Sequence, residues 1–170
     1  MQKVRLDQID RLILRNLQAD GRITNLKLSK LIGISPPPCL RRVRALEETG
    51  YIKSYHANLN PKALGYNVTA FAQVGLISQA ETDLNAFEKT VHKWPEVREC
   101  FMLAGEIDYL LKIVAKDWEA FQAFLTTKLT PTDNVNLIKS SLSIRTAKLE
   151  QGIPVKLDPI ESKEDQQNLR

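Results

Sequence analysis

Residues 28–46 read LSKLIGISPPPCLRRVRAL, and this stretch decides the fold of the first part of the chain. Apolar residues at helical spacing end at Gly33, which suits the left-handed position just past a helix. Ser35 then fits the N-cap of a second helix, and Pro36 fits its first position, where a missing N–H costs no hydrogen bond. The sequence therefore predicts a helix from about Asn25 to Ile32, a glycine turn and a following helix that carries three arginines.

A further helix is predicted ahead of this pair, because Asp7 can cap a segment with apolar residues at helical spacing, which Asp20-Gly21 then ends. The residues expected to face the core of the other two helices are Leu28, Leu31 and Ile32 in the second and Leu40, Val43 and Leu46 in the third. Two such helices joined by a glycine turn form a helix-turn-helix, so DNA binding is the first hypothesis.

The third helix is expected to enter a major groove. The residues predicted to face the DNA are Ser35, Pro37, Pro38, Arg41, Arg42, Arg44 and Ala45. Arg41 is the best placed to read a guanine edge, whereas Arg42 and Arg44 are expected to hold phosphates. The alternative is a solvated basic face on an ordinary helical domain.

The distribution of charge favours the DNA hypothesis. Residues 1–65 hold 12 Lys and Arg against 5 Asp and Glu, a net charge of +7. Residues 66–150 carry −2 and residues 151–170 carry −1. A polyanionic partner is therefore expected to dock on the first third of the chain, through phosphate neutralisation and counterion release.

The rest of the chain predicts a second domain. Tyr51–Ala57 is rich in β-formers and predicts a wing or linker strand. The elements expected after it are a strand over Val68–Ile77, a helix over Thr82–Lys93, strands over Val97–Ala104 and Tyr109–Val114, a helix capped by Asp117, and a strand over Asn136–Lys148. This βαββαβ order is ferredoxin-like, with both helices on one face of an antiparallel sheet.

The predicted fold class is therefore α+β: an N-terminal winged helix-turn-helix followed by a ferredoxin-like βαββαβ domain. The helix-turn-helix domain with its linker strand is assigned to residues 1–60, and the second domain to residues 61–155. Residues 156–170 are mostly charged or amide side chains without periodic apolar residues, so we expect a disordered tail.

Several classes of protein are disfavoured. The chain has no run of about 18 apolar residues and no apolar signal-peptide segment, so a cytoplasmic protein without a membrane partner is expected. Cys39 and Cys100 are far apart and are expected to be reduced and mostly buried. No catalytic residues, metal site or cofactor are predicted, because no paired base and nucleophile, phosphate-cradling glycine loop or metal-ligand cluster is visible. A small metabolic enzyme is therefore disfavoured.

Five short segments carry a resemblance to a known family. They are LDQIDR at 6–11, DGRITN at 20–25, ISPPPC at 34–39, RVRALE at 42–47 and GYI at 50–52. With the domain order, they resemble the Lrp/AsnC (leucine-responsive regulatory protein, feast/famine) family over about residues 5–155. The resemblance implies a transcription regulator that binds double-stranded DNA at the nucleoid and assembles from homodimers into octamers. It also implies a second domain that binds an amino acid between subunits.

The family's effector motif, a glycine and an aspartate three residues later, falls on Gly105 and Asp108, with Glu106 and Ile107 between them. Gly105 would let backbone N–H groups approach a ligand carboxylate, and Asp108 would accept from a ligand α-ammonium. The alternative is a tight hairpin with a glycine for its backbone angle and a capping aspartate. At the level of function, the alternative is an architectural DNA-wrapping protein without a small-molecule effector.

Overall fold

The computed structural model describes residues 6–150 and 152–157. By their internal contacts, these residues divide into two compact units. The helical unit contains the chain up to Asn58 together with the residues from Leu149 onward, and the sheet unit contains Leu59–Lys148. The chain therefore crosses between the units twice. In this division, the described residues at 149, 150 and 152–155 group with the helical unit, whereas the sequence analysis assigned them to the second domain.

The helical unit begins with α1 (Gln8–Ala19), α2 (Asn25–Ile32) and α3 (Pro36–Glu48). Asp7 caps α1 as predicted, since its side chain accepts a hydrogen bond from the Asp10 N–H at 2.8 Å. Gly33 ends α2 with φ 74° and ψ 29°, a left-handed conformation that glycine adopts without a steric penalty. The sequence-based prediction of the three helices is confirmed.

Two of the residues expected to face the core of the helical unit are exposed in the structure. The buried apolar side chains of this core are Ile13, Leu28, Ile32, Cys39 and Leu46. Leu40 is 40% exposed and Leu31 is 60% exposed, so the expectation that both face the core was wrong. Cys39 takes the inward position on α3, and the inward row runs from Cys39 through the partly buried Val43 to Leu46.

The linker differs from the predicted strand. Residues 51–58 pair with no described segment of this chain in a β-ladder. A strand is stabilised by hydrogen bonds to a neighbouring backbone, and β-forming side chains alone do not supply that partner. The linker is held instead by contacts with the end of α3, where the Ile52 N–H donates to the Leu46 carbonyl at 3.1 Å. Tyr55 also donates its hydroxyl to Glu47 Oε1 at 2.9 Å.

The last described residues of the chain form an arm, residues 152–157, which packs on α1. The amide of Gln18 pairs with the Ile153 backbone, donating to its carbonyl at 2.8 Å and accepting from its N–H at 3.0 Å. Arg11 donates to the Lys156 carbonyl at 3.2 Å. Beside the arm lies a cleft of about 530 Å³ with mostly apolar walls from α1, the linker and the arm. The expected disordered tail falls mostly on residues 158–170, which lie outside the described residues.

The sheet unit has the predicted βαββαβ order. Its elements are β1 (Val68–Leu76), α4 (Glu81–Val91), β2 (Val97–Met102), β3 (Tyr109–Ala115), α5 (Trp118–Phe124, continued by a wider π turn over Leu125–Leu129) and β4 (Val135–Leu142). The strands form one antiparallel sheet in the order β2-β3-β1-β4. The last strand ends at Leu142, short of the expected Lys148.

The two faces of the sheet differ in burial. Alternate residues of β1 and β3, among them Ala72, Val74 and Leu111, are buried against the side chains of α4 and α5. Residues on the opposite face of the sheet are more exposed, and Phe101 there is 50% exposed. Since two helices cover only one face, the second face of the sheet keeps exposed apolar surface.

Candidate DNA interface and effector loop

The outward face of α3 carries Pro37, Arg41 and Arg44, all of them exposed. At about 100° per residue, these three side chains fall within about 60° of one another and opposite the row of Cys39 and Leu46. Neither Arg41 nor Arg44 has a side-chain hydrogen bond or ion pair to another described residue. Two cationic side chains on this face are therefore open to an external anion. Ala45, at the edge of the same face, is also exposed and too small to block close approach.

Arg42 is engaged within the chain. Its Nη1 lies 2.7 Å from Asp7 Oδ2 and 2.7 Å from Asp10 Oδ1, so that α3 is tied to the start of α1. The hydrogen bonds that Arg42 donates to Asp10 and Asp7 raise the pKa of its guanidinium further. The sequence alone suggested that Arg42 holds a phosphate; this geometry favours a positioning role, because its charge is already matched by two carboxylates.

Burial alone would raise the pKa of Asp7, but its hydrogen bonds from the Asp10 N–H and from Arg42 outweigh that effect. The net pKa of the Asp7 carboxyl therefore lies below its usual value of 3.8. Asp7 is thus an anion at neutral pH, which suits both its cap on α1 and its pair with Arg42.

The start of α3 is unusual in its hydrogen bonding. Ser35 is at the N-cap position, yet its side chain makes no capping hydrogen bond. An N-cap side chain normally accepts from the N–H of the second or third helical residue, and here those residues are Pro37 and Pro38, which have none. The Ser35 hydroxyl is therefore exposed and left for other partners.

Asn25 fixes the start of α3 in place. Its side-chain amide donates to the Pro36 carbonyl at 2.9 Å, which ties the first residue of α2 to the first residue of α3. Sequence reasoning missed this contact, because an asparagine at a helix start gives no sign of a partner 11 residues away. The contact holds the outward face of α3 on a rigid support.

The predicted effector segment lies in the hairpin between β2 and β3. Asp108 Oδ2 accepts from the Leu76 N–H at 2.7 Å, and Oδ1 accepts from the Gln79 side chain at 2.8 Å. The aspartate therefore caps the end of β1, which lies outside the hairpin, whereas the hairpin alternative had it cap the hairpin itself. Gln79 is a site neighbour that the sequence did not reveal, since it is far from Asp108 along the chain.

The fold of this chain does not require a glycine at position 105. The φ of Gly105 is outside the left-handed region, and a Cβ built on it would meet nothing within 4 Å. The part of the hairpin alternative that explained Gly105 by its backbone angle was therefore wrong. Glu106 next to it is exposed, and Ile107 is half-buried. The glycine thus keeps open the space over an exposed turn.

Asn134 supports the neighbourhood of Asp108 from the loop before β4. Its side chain accepts from the Ser78 N–H at 2.8 Å and donates to the Ser78 carbonyl at 2.9 Å. Its own backbone is left-handed, with φ 69°. Asparagine tolerates this left-handed conformation better than most residues. Residues 77–79, which include the Asp108 partner Gln79, are thereby pinned to this loop.

Two family models match the chain. One, described as the winged helix-turn-helix DNA-binding family, matches residues 6–53, and the other, described as the Lrp/AsnC ligand binding domain, matches residues 69–153. The second match alone spans half of the chain. The chain belongs to the Lrp/AsnC family.

Related proteins agree with this assignment over nearly the whole chain. The chain is 51% identical over 146 residues to a leucine-responsive regulatory protein of Rhizobium meliloti, covering 86% of this chain and 94% of the relative. It is 39% identical over 151 residues to the leucine-responsive regulatory protein of Escherichia coli, covering 89% of this chain and 92% of the relative. This Lrp/AsnC chain is therefore a transcription regulator and not an enzyme.

Solved structures support the fold of this Lrp/AsnC regulator. A transcriptional regulator from Neisseria meningitidis, solved as an L-Met complex, matches with a TM-score of 0.85 and 38% identity, covering 88% of this chain and 97% of that one. An AsnC family regulator from Agrobacterium tumefaciens matches with a TM-score of 0.82 and 32% identity, covering 88% and 97%. The Lrp/AsnC architecture thus combines a DNA-binding unit with an amino-acid ligand-binding domain. Within the described part of the chain, no helix combines the length and the apolarity needed to cross a membrane.

Proposed function

We propose that this Lrp/AsnC regulator inserts α3 into the major groove of its operator, with Arg41 on a guanine edge and Arg44 on a phosphate. The observation that carries the proposal is the contrast among the three arginines of α3. Arg42 is paired with two carboxylates, whereas Arg41 and Arg44 are exposed and have no partner among the described residues. Arginine can donate two hydrogen bonds to guanine, and an exposed cation gains affinity for phosphate by counterion release. Ser35, Pro37, Pro38 and Ala45 complete the surface that faces the DNA.

The effector proposed for the second domain is an amino acid bound over Gly105, Glu106, Ile107 and Asp108. Asp108 already accepts two hydrogen bonds, but a carboxylate offers about four lone-pair positions, so positions remain for an α-ammonium. The open space over Gly105 admits a ligand carboxylate to the backbone. The L-Met complex of the Neisseria meningitidis relative supports the same ligand class.

The proposed assembly begins with a homodimer formed through the open face of the sheet and continues to an octamer. Phe71, Phe101 and Leu137 on that face are each more than a third exposed, and pairing two such faces would remove their apolar surface from water. A dimer presents two α3 helices to successive half-sites of the DNA. Since transcription takes place at the chromosome, we place the regulator at the nucleoid in the cytoplasm.

Calorimetric titration of the full-length protein with each of the twenty amino acids tests the effector proposal. Gly105→Val is the informative variant, because a side chain there meets open space in the chain and should leave the fold intact. We expect one or more amino acids to bind the wild type, and binding to be lost in Gly105→Val. Asp133→Ala, which removes an exposed loop carboxylate, is the matched control and should bind normally. Absence of binding by all twenty would instead favour an architectural DNA-wrapping protein.

A further inference from the structure

Three consecutive prolines remove the hydrogen-bond donors from the first turn of α3. The first four N–H groups of a helix have no partner within it, and helix starts often use these groups to hold phosphate. Pro36, Pro37 and Pro38 supply none of them. The part of α3 that enters the groove first therefore offers pyrrolidine rings in place of N–H donors.

Of the three rings, that of Pro37 is the most open to a ligand. Pro37 is exposed, whereas Pro36 and Pro38 are partly buried. Pro37 lies four residues before Arg41, so the two side chains are about one helical turn apart, or about 5 to 6 Å, on the same face. The Asn25 contact to the Pro36 carbonyl fixes the backbone from which the Pro37 ring projects. A rigid apolar surface thus lies directly beside the exposed guanidinium of Arg41.

The major groove contains one apolar feature that such a surface fits. Thymine presents its C5-methyl group there, and small apolar side chains recognise it by contact. The other base edges present donors and acceptors, which a pyrrolidine ring cannot match. Contact between the pyrrolidine ring and the methyl group removes apolar surface of both from water, which is favourable by the hydrophobic effect.

We propose that Pro37 reads a thymine methyl group, next to the guanine read by Arg41. The recognition helix then combines one apolar and one polar base contact, and Pro37 is a specificity-determining residue of this regulator. This inference rests on the proposed insertion of α3 into the major groove.

The test uses DNA duplexes that the full-length protein selects from a randomised pool. In the selected duplex, each thymine is replaced in turn by deoxyuridine, which lacks only the methyl group. We expect about a fourfold loss of affinity at one thymine per half-site, adjacent to a guanine, since burial of one such carbon group contributes roughly 0.8 kcal/mol. Pro37→Gly, which leaves no side chain at this position, should bind thymine and deoxyuridine duplexes equally. Pro36→Gly removes a ring from the same turn and, as the matched control, should keep the wild-type sensitivity.

The outcomes distinguish a failure of the thymine contact from a failure of the insertion of α3 into the groove. If the protein selects no duplex above the starting pool, the insertion of α3 is itself overturned. If a duplex is selected but no deoxyuridine replacement weakens binding, the thymine contact is wrong while the groove assignment stands. If the sensitivity persists in Pro37→Gly, another residue reads the methyl group and the assignment to Pro37 is refuted.

Discussion

The three arginines of α3 should separate cleanly into one that supports the fold and two that bind DNA. Replacing Arg42 by Met breaks two contacts of 2.7 Å, one to Asp7 and one to Asp10. Exposed ion pairs are each worth about 0.2 to 1 kcal/mol, and the Asp10 side chain is only 13% exposed, which places its pair toward the upper end. We expect Arg42→Met to lower the free energy of unfolding of the helical unit by about 1 to 2 kcal/mol.

Arg41→Met and Arg44→Met should leave stability unchanged, since neither side chain has a partner among the described residues. Arg44→Met should weaken binding to all duplexes and reduce the salt slope of log K by about 0.9, as expected for one lost phosphate contact. Arg41→Met should instead reduce discrimination between the selected duplex and one with its guanine replaced, by about 1 to 3 kcal/mol.

Two assays follow these effects separately. Urea unfolding monitored by circular dichroism reports both units, while Trp94 and Trp118 both lie in the sheet unit and report it alone by fluorescence. Fluorescence anisotropy with a labelled duplex at several salt concentrations gives the DNA affinity and its slope. If Arg42→Met unfolds like the wild type and loses about 0.9 of salt slope, as in Arg44→Met, then Arg42 contacts DNA and the positioning role is refuted.

The same cluster predicts a pH dependence. The pKa of Asp7 is lower in the folded protein than its usual value of 3.8, so the folded state favours the charged form. The stabilisation is therefore fully present above the usual pKa and is lost as the pH falls through 3.8 toward the lower folded value. Urea titrations at pH values from 6 down to 3 give the free energy of unfolding at each pH. This free energy should fall less in Asp7→Asn than in the wild type. An identical pH profile would contradict the pairing with Arg42.

Further predictions concern single positions. Gly33→Val should destabilise the helical unit by about 1 to 2 kcal/mol, because a side chain there is strained at φ 74°, and urea unfolding measures the change. Asp108→Ala should destabilise the sheet unit by about 1 to 3 kcal/mol, because it leaves the Leu76 N–H without its acceptor; an unchanged tryptophan unfolding midpoint would contradict this. Burial, with a contribution from Glu88, raises the pKa of Cys100 to about 11, so iodoacetamide should modify the native protein slowly at pH 7.5 and the urea-unfolded protein rapidly.

The sequence predicted the helix-turn-helix because local chemistry determines it. A capping aspartate at Asp7, a left-handed glycine at Gly33 and a proline at the first position of α3 each act within one helical turn. The βαββαβ order followed in the same way from the periodicity of each segment. Neither inference needed knowledge of distant contacts.

The errors arose where the outcome depends on a partner far away in sequence. Leu40 and Cys39 are adjacent apolar residues, and only the position of α1 and α2 decides which of them is buried. The pairing of Arg42 with Asp7 and Asp10 was likewise not visible in the sequence, because the two carboxylates lie 35 and 32 positions earlier in the chain. The linker has β-forming residues, yet a strand also requires another backbone, which the described part of this chain does not provide.

The return of the chain to the helical unit has a practical consequence for dissecting this regulator. The sheet unit is an insertion between two parts of the DNA-binding unit, so a fragment ending at Asn58 omits the arm that pairs with Gln18 and Arg11. Such a fragment would open one wall of the apolar cleft that Val155 helps to close. An isolated DNA-binding domain should therefore include the arm, residues 152–157, together with the chain up to Asn58.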